Sequence, residues 1–142
     1  MKTISVIIPA YNEEKRIGKT LGLWQDYLKT VSLNHKIEEI IIVDDGSEDK
    51  TCEIAEAYKK SLPVKIIRVA KNQGKGNAVK SGILRSAGDL IFVCDADAAV
   101  LPEEIKKLIL QISNADIVIG SRFKKGAKTT MSFTRRFVGM CF

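Results

Sequence analysis

Residues 88–98 read GDLIFVCDADA. The apolar run Leu90 to Val93 has the composition of a strand buried on both faces, and it leads directly to Asp95 and Asp97, two carboxylates one residue apart. Side chains alternate along extended chain, so the pair is predicted to project to one side of the strand end. The same build recurs at Ile4 to Ile8, Ile40 to Val43, Val64 to Val69 and Ile117 to Ile119. Strand one runs into Pro9, Ala10, Tyr11, Asn12 and Glu13, strand two into Asp44, Asp45, Gly46 and Ser47, strand three into KNQGKGN at 71–77, and strand five into Gly120, Ser121 and Arg122. Between the runs lie helical patterns. The first stripes Ile17, Leu21, Trp24 and Leu28 behind Asn12 as a cap with two acids in the first turn, and the second covers about Asp49 to Lys60. The third, about Lys75 to Ala87, carries the small residues Gly76, Ala78, Gly82 and Ala87, which let a helix lie close to a sheet. The fourth starts at Pro102 and stripes Ile105, Leu108, Ile109 and Ile112. Alternating strands and helices predict an α/β fold with a mostly parallel sheet, flanking helices and right-handed crossovers. Ligands of such sheets bind outside the carboxyl ends of the strands, so the five polar ends predict one functional rim.

Composition agrees. A chain of 142 residues, 45% hydrophobic and 28% charged, is one domain's worth of sequence and can bury a core without disulfides or a structural metal. Collagen-like, disordered and disulfide-rich classes are excluded. The three cysteines, Cys52, Cys94 and Cys141, are odd in number and far apart, as in a reducing cytoplasm, and His35 is the only histidine, which leaves a zinc site without ligands. The N-terminal residues lack the succession of a signal peptide, and no stretch approaches the ~20 apolar residues of a membrane span. Net charge is +6, and it is unevenly placed: Arg122, Lys124, Lys125, Lys128, Arg135 and Arg136 are followed by no acid up to Phe142. Such a run is a solvated loop or a clamp for phosphates or an anionic membrane surface. Nucleic acid is disfavoured, because few aromatics interleave the basic residues and the rest of the rim is acidic.

Asp95 and Asp97 carry the most specific chemistry. Two carboxylates at a strand end can hold a hard divalent cation, Mg²⁺ or Mn²⁺, while leaving positions for substrate phosphate oxygens. A pair of acids before Pro102 is otherwise a solvated turn or a helix cap, and the position after LIFVC favours the ligand role. Asp44 and Asp45 stand where nucleotide-binding sheets place an acid for a ribose or base, or act as a turn and cap with Gly46. The NQGKGNA segment opens a helix with two glycines flanking Lys75, which either present backbone N–H groups and an ammonium to an anion or serve the backbone alone. Neither GxGxxG after strand one nor GxxxxGK[ST] is present, which excludes a nicotinamide or flavin dehydrogenase and a P-loop ATPase.

The succession VIIPAYNEE, IIVDDGSEDKT, NQGKGNAVKSG, GDLIFVCDADA and IVIGSRF resembles the family 2 inverting glycosyltransferases with a Rossmann-like GT-A fold, and within them the dolichyl-phosphate (polyprenyl-phosphate) glucosyl- and mannosyltransferases. The resemblance covers the chain from end to end. It implies that Pro9, Tyr11 and Glu13 line the nucleotide pocket, with Val43 and Asp45 beside the base and ribose. Asp95, Ala96 and Asp97 match the DXD motif that holds the metal and the donor diphosphate. Arg122 matches the arginine of the GSR segment, Arg135 or Arg136 a phosphate-contacting arginine, and Lys75 a lysine near the donor. Asp97 and Arg122 are the expected catalytic residues. The family's catalytic domain continues past the helix that begins near Thr134, so residues 1–142 are expected to be the nucleotide-sugar-binding portion of a longer enzyme.

The implied reaction is metal-dependent transfer of a hexose from UDP-glucose or GDP-mannose to a polyprenyl (dolichyl) phosphate, by a protein peripheral at the cytosolic face of a membrane. A phosphate acceptor with a second pKa near ~6 is already largely dianionic at neutral pH, so the lack of a catalytic histidine is unsurprising. Two alternatives stand beside this one: a nucleotide-sugar-binding fragment without turnover, and a sugar-nucleotide pyrophosphorylase, which usually carries a glycine-rich loop after strand one that is absent here.

Overall fold

β1 (Thr3–Ala10) and β2 (Lys36–Asp44) form the centre of a four-stranded parallel sheet ordered β3-β2-β1-β4, with β3 (Val64–Arg68) and β4 (Leu90–Val93) at its edges. A computed structural model describes residues 2–30, 35–112 and 115–120. The chain divides into two compact units, Met1–Ile105 and Lys106–Phe142, and the whole sheet belongs to the first.

Helices α1 (Ile17–Thr30), α2 (Thr51–Ala57) and α3 (Lys75–Ile83) connect successive strands. Period-2 alternation divides the core. Ile7, Ile41 and Val43 are buried with Ala78 of α3 on one face, whereas Phe92 of β4 meets Trp24 of α1 edge-on on the other. On α1 the buried stripe is Ile17, Thr20, Leu21, Trp24 and Tyr27, so Tyr27 takes the place predicted for Leu28. The small residues of α3 act as expected at Ala78 and Gly82: a Cβ on Gly82 would lie 2.6 Å from Ile7 Cγ2. Ala87 lies beyond the helix, whose last residue is Ile83.

Three expectations need correction. α1 begins at Ile17, and Asn12 is not its cap. Asn12 adopts a left-handed φ of 52°, and its backbone N–H and side-chain Oδ1 bond to residues 47 and 48. Burial on both faces holds for β1 and β2 only. Ile91 and Val93 of β4 remain 42% and 41% exposed, because an edge strand has a neighbour on one side and no described helix covers that face of it. Finally, Ile117 to Ile119 form no strand: Ile117 and Ile119 are exposed, and no strand among the described residues supplies the ladder that would order them. In the second unit the described structure is the remainder of α4 (Glu104–Ile112) and residues 115–120.

Candidate functional site

Chain order runs outward from β1 through β2 to β3 and then returns to place β4 on the far side of β1. Strand order therefore reverses across β1, between the step to β2 and the return to β4, and the crevice at the carboxyl ends of such a strand pair is where open parallel sheets bind ligands. An open cleft of about 330 Å³ lies there. Pro9, Tyr11, Glu13, Asp45, Lys75, Asp95, Ala96 and Asp97 all line it, drawn from the ends of β1, β2 and β4 and the start of α3. Ala10, Arg16 and Asn72 line it as well. Val43 does not. It is fully buried against Ile7, Ile41 and Ala78, because its alternation turns it into the sheet's α3 face rather than out of the strand end. Arg122, Arg135 and Arg136 lie outside the described residues.

The two aspartates are presented by a pinned segment. Past the end of β4, Cys94 N–H donates to the Ile7 carbonyl at 3.1 Å, and the Thr20 hydroxyl of α1 donates to the Ala96 carbonyl at 2.7 Å. Cys94 and Ala96 are buried, so the alternating positions Asp95 and Asp97 face the cleft. Cys94 is not among the residues that line the cleft, and burial pushes its thiol up to about 12. Asp97 Oδ1 accepts the Ala99 N–H at 2.9 Å. Asp95 Oδ1 lies 2.5 Å from Lys75 Nζ.

At the end of β2 the adjacent acids divide their work. Asp44, 1% exposed, accepts the Ser47 N–H and the Cys52 thiol and faces Arg68 at 3.5 Å, which fixes the turn after the strand. Asp45 accepts the backbone N–H groups of Gln73 and Gly74 at 3.0 and 2.8 Å, one on each oxygen. The residue expected beside a ribose thus braces the loop that carries Lys75. Gly46 makes that docking possible. Its φ is +77°, and a Cβ there would lie 2.8 Å from Asn72 N. Gly46→Ala is expected to destabilise the chain by about 1–3 kcal/mol through left-handed strain and displacement of the 71–74 backbone. A urea titration reads this, and a loss below 0.5 kcal/mol, on the order of a surface substitution, would show that the loop is not held there.

On the β1 side, the backbone N–H groups of Glu13 and Glu14 donate to Thr51 Oγ1 and Asp49 Oδ2, which ties the loop to the start of α2. The carboxylate of Glu13 takes the Arg16 guanidinium in a two-pronged contact at 2.5 and 2.8 Å. Sequence reasoning overlooked Arg16, and it put Asn72 on the rim without assigning it to the site. The first carries a signal in its spacing, three residues after Glu13, whereas the second is brought in only by the docking of its loop on Gly46.

Among the described residues no group of three or more acidic, histidine or cysteine side chains converges to hold a metal. The donor set nevertheless fits a hard divalent cation. Two carboxylates supply oxygen ligands and leave most of an octahedral shell to phosphate oxygens, the usual arrangement for Mg²⁺ or Mn²⁺ in phosphate chemistry.

The parallel sheet and its flanking helices place the chain in the GT-A fold class. The solved structure of S. aureus TarS 1–349 in complex with UDP-GlcNAc matches with a TM-score of 0.66 and 29% identity, over 88% of this chain and 39% of that one. The fold is shared too with the mannosyltransferase PcManGT of Pyrobaculum calidifontis in complex with GDP-Man and Mn²⁺, with a TM-score of 0.65 and 21% identity, over 78% of this chain and 32% of that one. More particularly, the chain belongs to glycosyl transferase family 2, whose model matches residues 5–138. It is 40% identical to a dolichyl-phosphate beta-glucosyltransferase of Trichomonas vaginalis, over 96% of this chain and 45% of the relative. It is 43% identical to a dolichol-phosphate mannosyltransferase of Pyrococcus furiosus, over 88% of this chain and 34% of the relative. The chain therefore spans less than half the length of either relative. No helix among the described residues is long and apolar enough to cross a membrane.

Proposed function

We propose that the chain supplies the donor site of an enzyme that transfers a hexose, with inversion, from UDP-glucose or GDP-mannose to a polyprenyl phosphate at the cytosolic face of a membrane. The observation that carries this reading is the convergence of Asp95, Asp97 and Lys75 on one cleft with the end of β1, in a chain 40% identical to a dolichyl-phosphate glucosyltransferase. Pro9, Ala10 and the half-exposed ring of Tyr11 offer an apolar wall for the base. Asp45 orients the loop that carries Lys75, whose ammonium would reach the diphosphate. Asp95 and Asp97 would hold a Mg²⁺ or Mn²⁺ ion, which when bound neutralises charge developing on the departing diphosphate. Arg122 and Arg135 or Arg136 would add cationic contacts to the same charge. An oxygen of the acceptor phosphate forms the new bond to the anomeric carbon as the bond to the nucleoside diphosphate breaks. No proton need be removed from an acceptor that is already dianionic, with its second pKa near ~6.

Calorimetry with UDP and GDP, with and without Mn²⁺, tests the donor site on this chain. Heat with one nucleotide, dependent on Mn²⁺, is expected and also identifies the donor. Silence with both nucleotides would overturn the reading. Incubation with the matching nucleotide sugar and polyprenyl phosphate separates the chemistries: release of nucleoside diphosphate supports hexosyl transfer, and release of pyrophosphate would point to a nucleotidyltransferase.

A further inference from the structure

We propose that Lys75 is the built-in counter-ion of the aspartate pair: it holds Asp95 while the cleft lacks a cation, is displaced by the incoming divalent ion, and then moves its charge onto the donor diphosphate. The proposal rests on the donor-site reading above.

Its basis is geometric. Lys75 Nζ lies 2.5 Å from Asp95 Oδ1 across the cleft, so the ammonium takes up one of the cation positions that this carboxylate offers. Asp97, two residues on, has no ion pair among the described residues. Arg16, the other cation among the described residues that line the cleft, is held by Glu13. One of the two aspartates is thus neutralised and the other is left to meet the incoming ion. Like charges this close in sequence repel, and a lysine on one of them relieves that repulsion while the site is empty of metal.

The anchor of the lysine and its freedom are separately provided. Its backbone is fixed, because Asp45 bonds the N–H groups of Gln73 and Gly74 and because Gly46 lies directly against the 71–72 backbone. Its side chain has room. A Cβ at Gly74 or at Gly76 would meet nothing within 4 Å, so both flanks of Lys75 are open. The pair itself is solvent-accessible, with the Lys75 side chain 64% exposed and that of Asp95 42% exposed. Exposed pairs of this kind are weak, and a divalent ion can exchange for the ammonium at little cost. A four-carbon stem anchored at the start of α3 can then swing toward an anion without moving the backbone.

The test measures Mn²⁺ binding to the chain without nucleotide, from the electron paramagnetic resonance signal of free Mn²⁺, and UDP or GDP binding at saturating Mn²⁺ by calorimetry. Lys75→Gln is expected to bind Mn²⁺ roughly three- to fivefold more tightly than the unaltered chain, the size of an exposed ion pair removed as competitor. The same variant is expected to bind nucleotide several-fold more weakly, and Lys75→Arg to return Mn²⁺ affinity to that of the unaltered chain. Asp97→Asn is the control for the metal site. If Asp97→Asn weakens Mn²⁺ binding while Lys75→Gln leaves it unchanged or weakens it, the counter-ion role is overturned and the metal site stands. If Asp97→Asn has no effect on Mn²⁺ binding, the metal reading fails and takes the counter-ion role with it.

Discussion

Asp97→Ala is expected to lower Mn²⁺-dependent nucleotide binding by at least about 100-fold while leaving the fold intact. Loss of a residue that only supports a metal ligand already costs about 10–100-fold in metal affinity, and loss of a ligand from a set of two costs no less. The separation from stability follows from the placement of the side chain. Asp97 is exposed in the cleft, and its one bond among the described residues is to the Ala99 N–H at 2.9 Å. That N–H is exposed and can turn to water, so the expected loss of stability is about 1 kcal/mol or less. Asp95 is a less clean target, because its removal also releases Lys75. Asp97→Asn sharpens the result: the amide oxygen can still accept the Ala99 N–H but carries no charge, so thermal stability is expected to stay at that of the unaltered chain while Mn²⁺ binding is lost. Melting curves and Mn²⁺ titrations on the two variants read both quantities. Unchanged Mn²⁺ affinity in the pair would remove the metal from the site.

Much of this site was legible before the fold was known, for a reason specific to parallel sheets. In such a sheet every strand end delivers its next residues to the same rim, so an apolar run followed by polar residues locates a site without knowledge of strand order. That rule placed Tyr11, Asp45, Lys75 and the Asp95–Asp97 pair around one cleft. What it could not supply is which residues of a strand end face the ligand and which face the protein. Val43 and Asp45 show the difficulty. Val43 is the last residue but one of β2 and Asp45 directly follows the strand, yet Val43 is in the core, and both oxygens of Asp45 are taken by backbone N–H groups nearly thirty residues later in the chain. Long-range docking of that kind leaves no local signature. Strand existence failed for a related reason at Ile117 to Ile119: β-branched composition suits a strand, but a strand is defined by a partner, and composition does not name one.

Glu39→Ala is expected to cost about 3 kcal/mol of folding stability, far from the cleft and through a cluster with no part in donor binding. The register of β1 against β2 shifts between Ile4 and Ser5, so that Ile4 pairs with Ile37 but Ser5 with Glu39. The shift brings a carboxylate, 1% exposed, inside the sheet's edge. Glu39 Oε1 accepts the Ser5 hydroxyl at 2.6 Å and the Ala87 N–H at 2.7 Å, and Oε2 meets the Lys65 ammonium of β3 at 2.6 Å. Ser5 Oγ in turn accepts the Gly88 N–H, and a Cβ on Gly88 would lie 2.5 Å from Ser5 N. One side chain therefore joins β1, β2, β3 and the turn into β4. Alanine would leave the Ser5 hydroxyl and the Ala87 N–H without their acceptor, at about 1–3 kcal/mol for each buried group. The charge adds a pH dependence whose sign can be worked out. Burial alone would raise the Glu39 pKa, but the Lys65 ion pair, the Ser5 hydroxyl and the Ala87 N–H outweigh it and hold the carboxyl below its ordinary value of 4.5. A group whose folded pKa is depressed contributes stability that is present above the unfolded value and is lost as the pH falls through the folded one. The contribution of Glu39 is therefore complete at neutral pH and disappears progressively below about 4.5. Glu39→Gln keeps an acceptor for Ser5 and Ala87 but not the charge, so its stability deficit relative to the unaltered chain should shrink as the pH is lowered through that range. Urea titrations at pH 7, 5 and 3.5 would show it, and a deficit independent of pH would mean that the Glu39 charge contributes nothing to the fold.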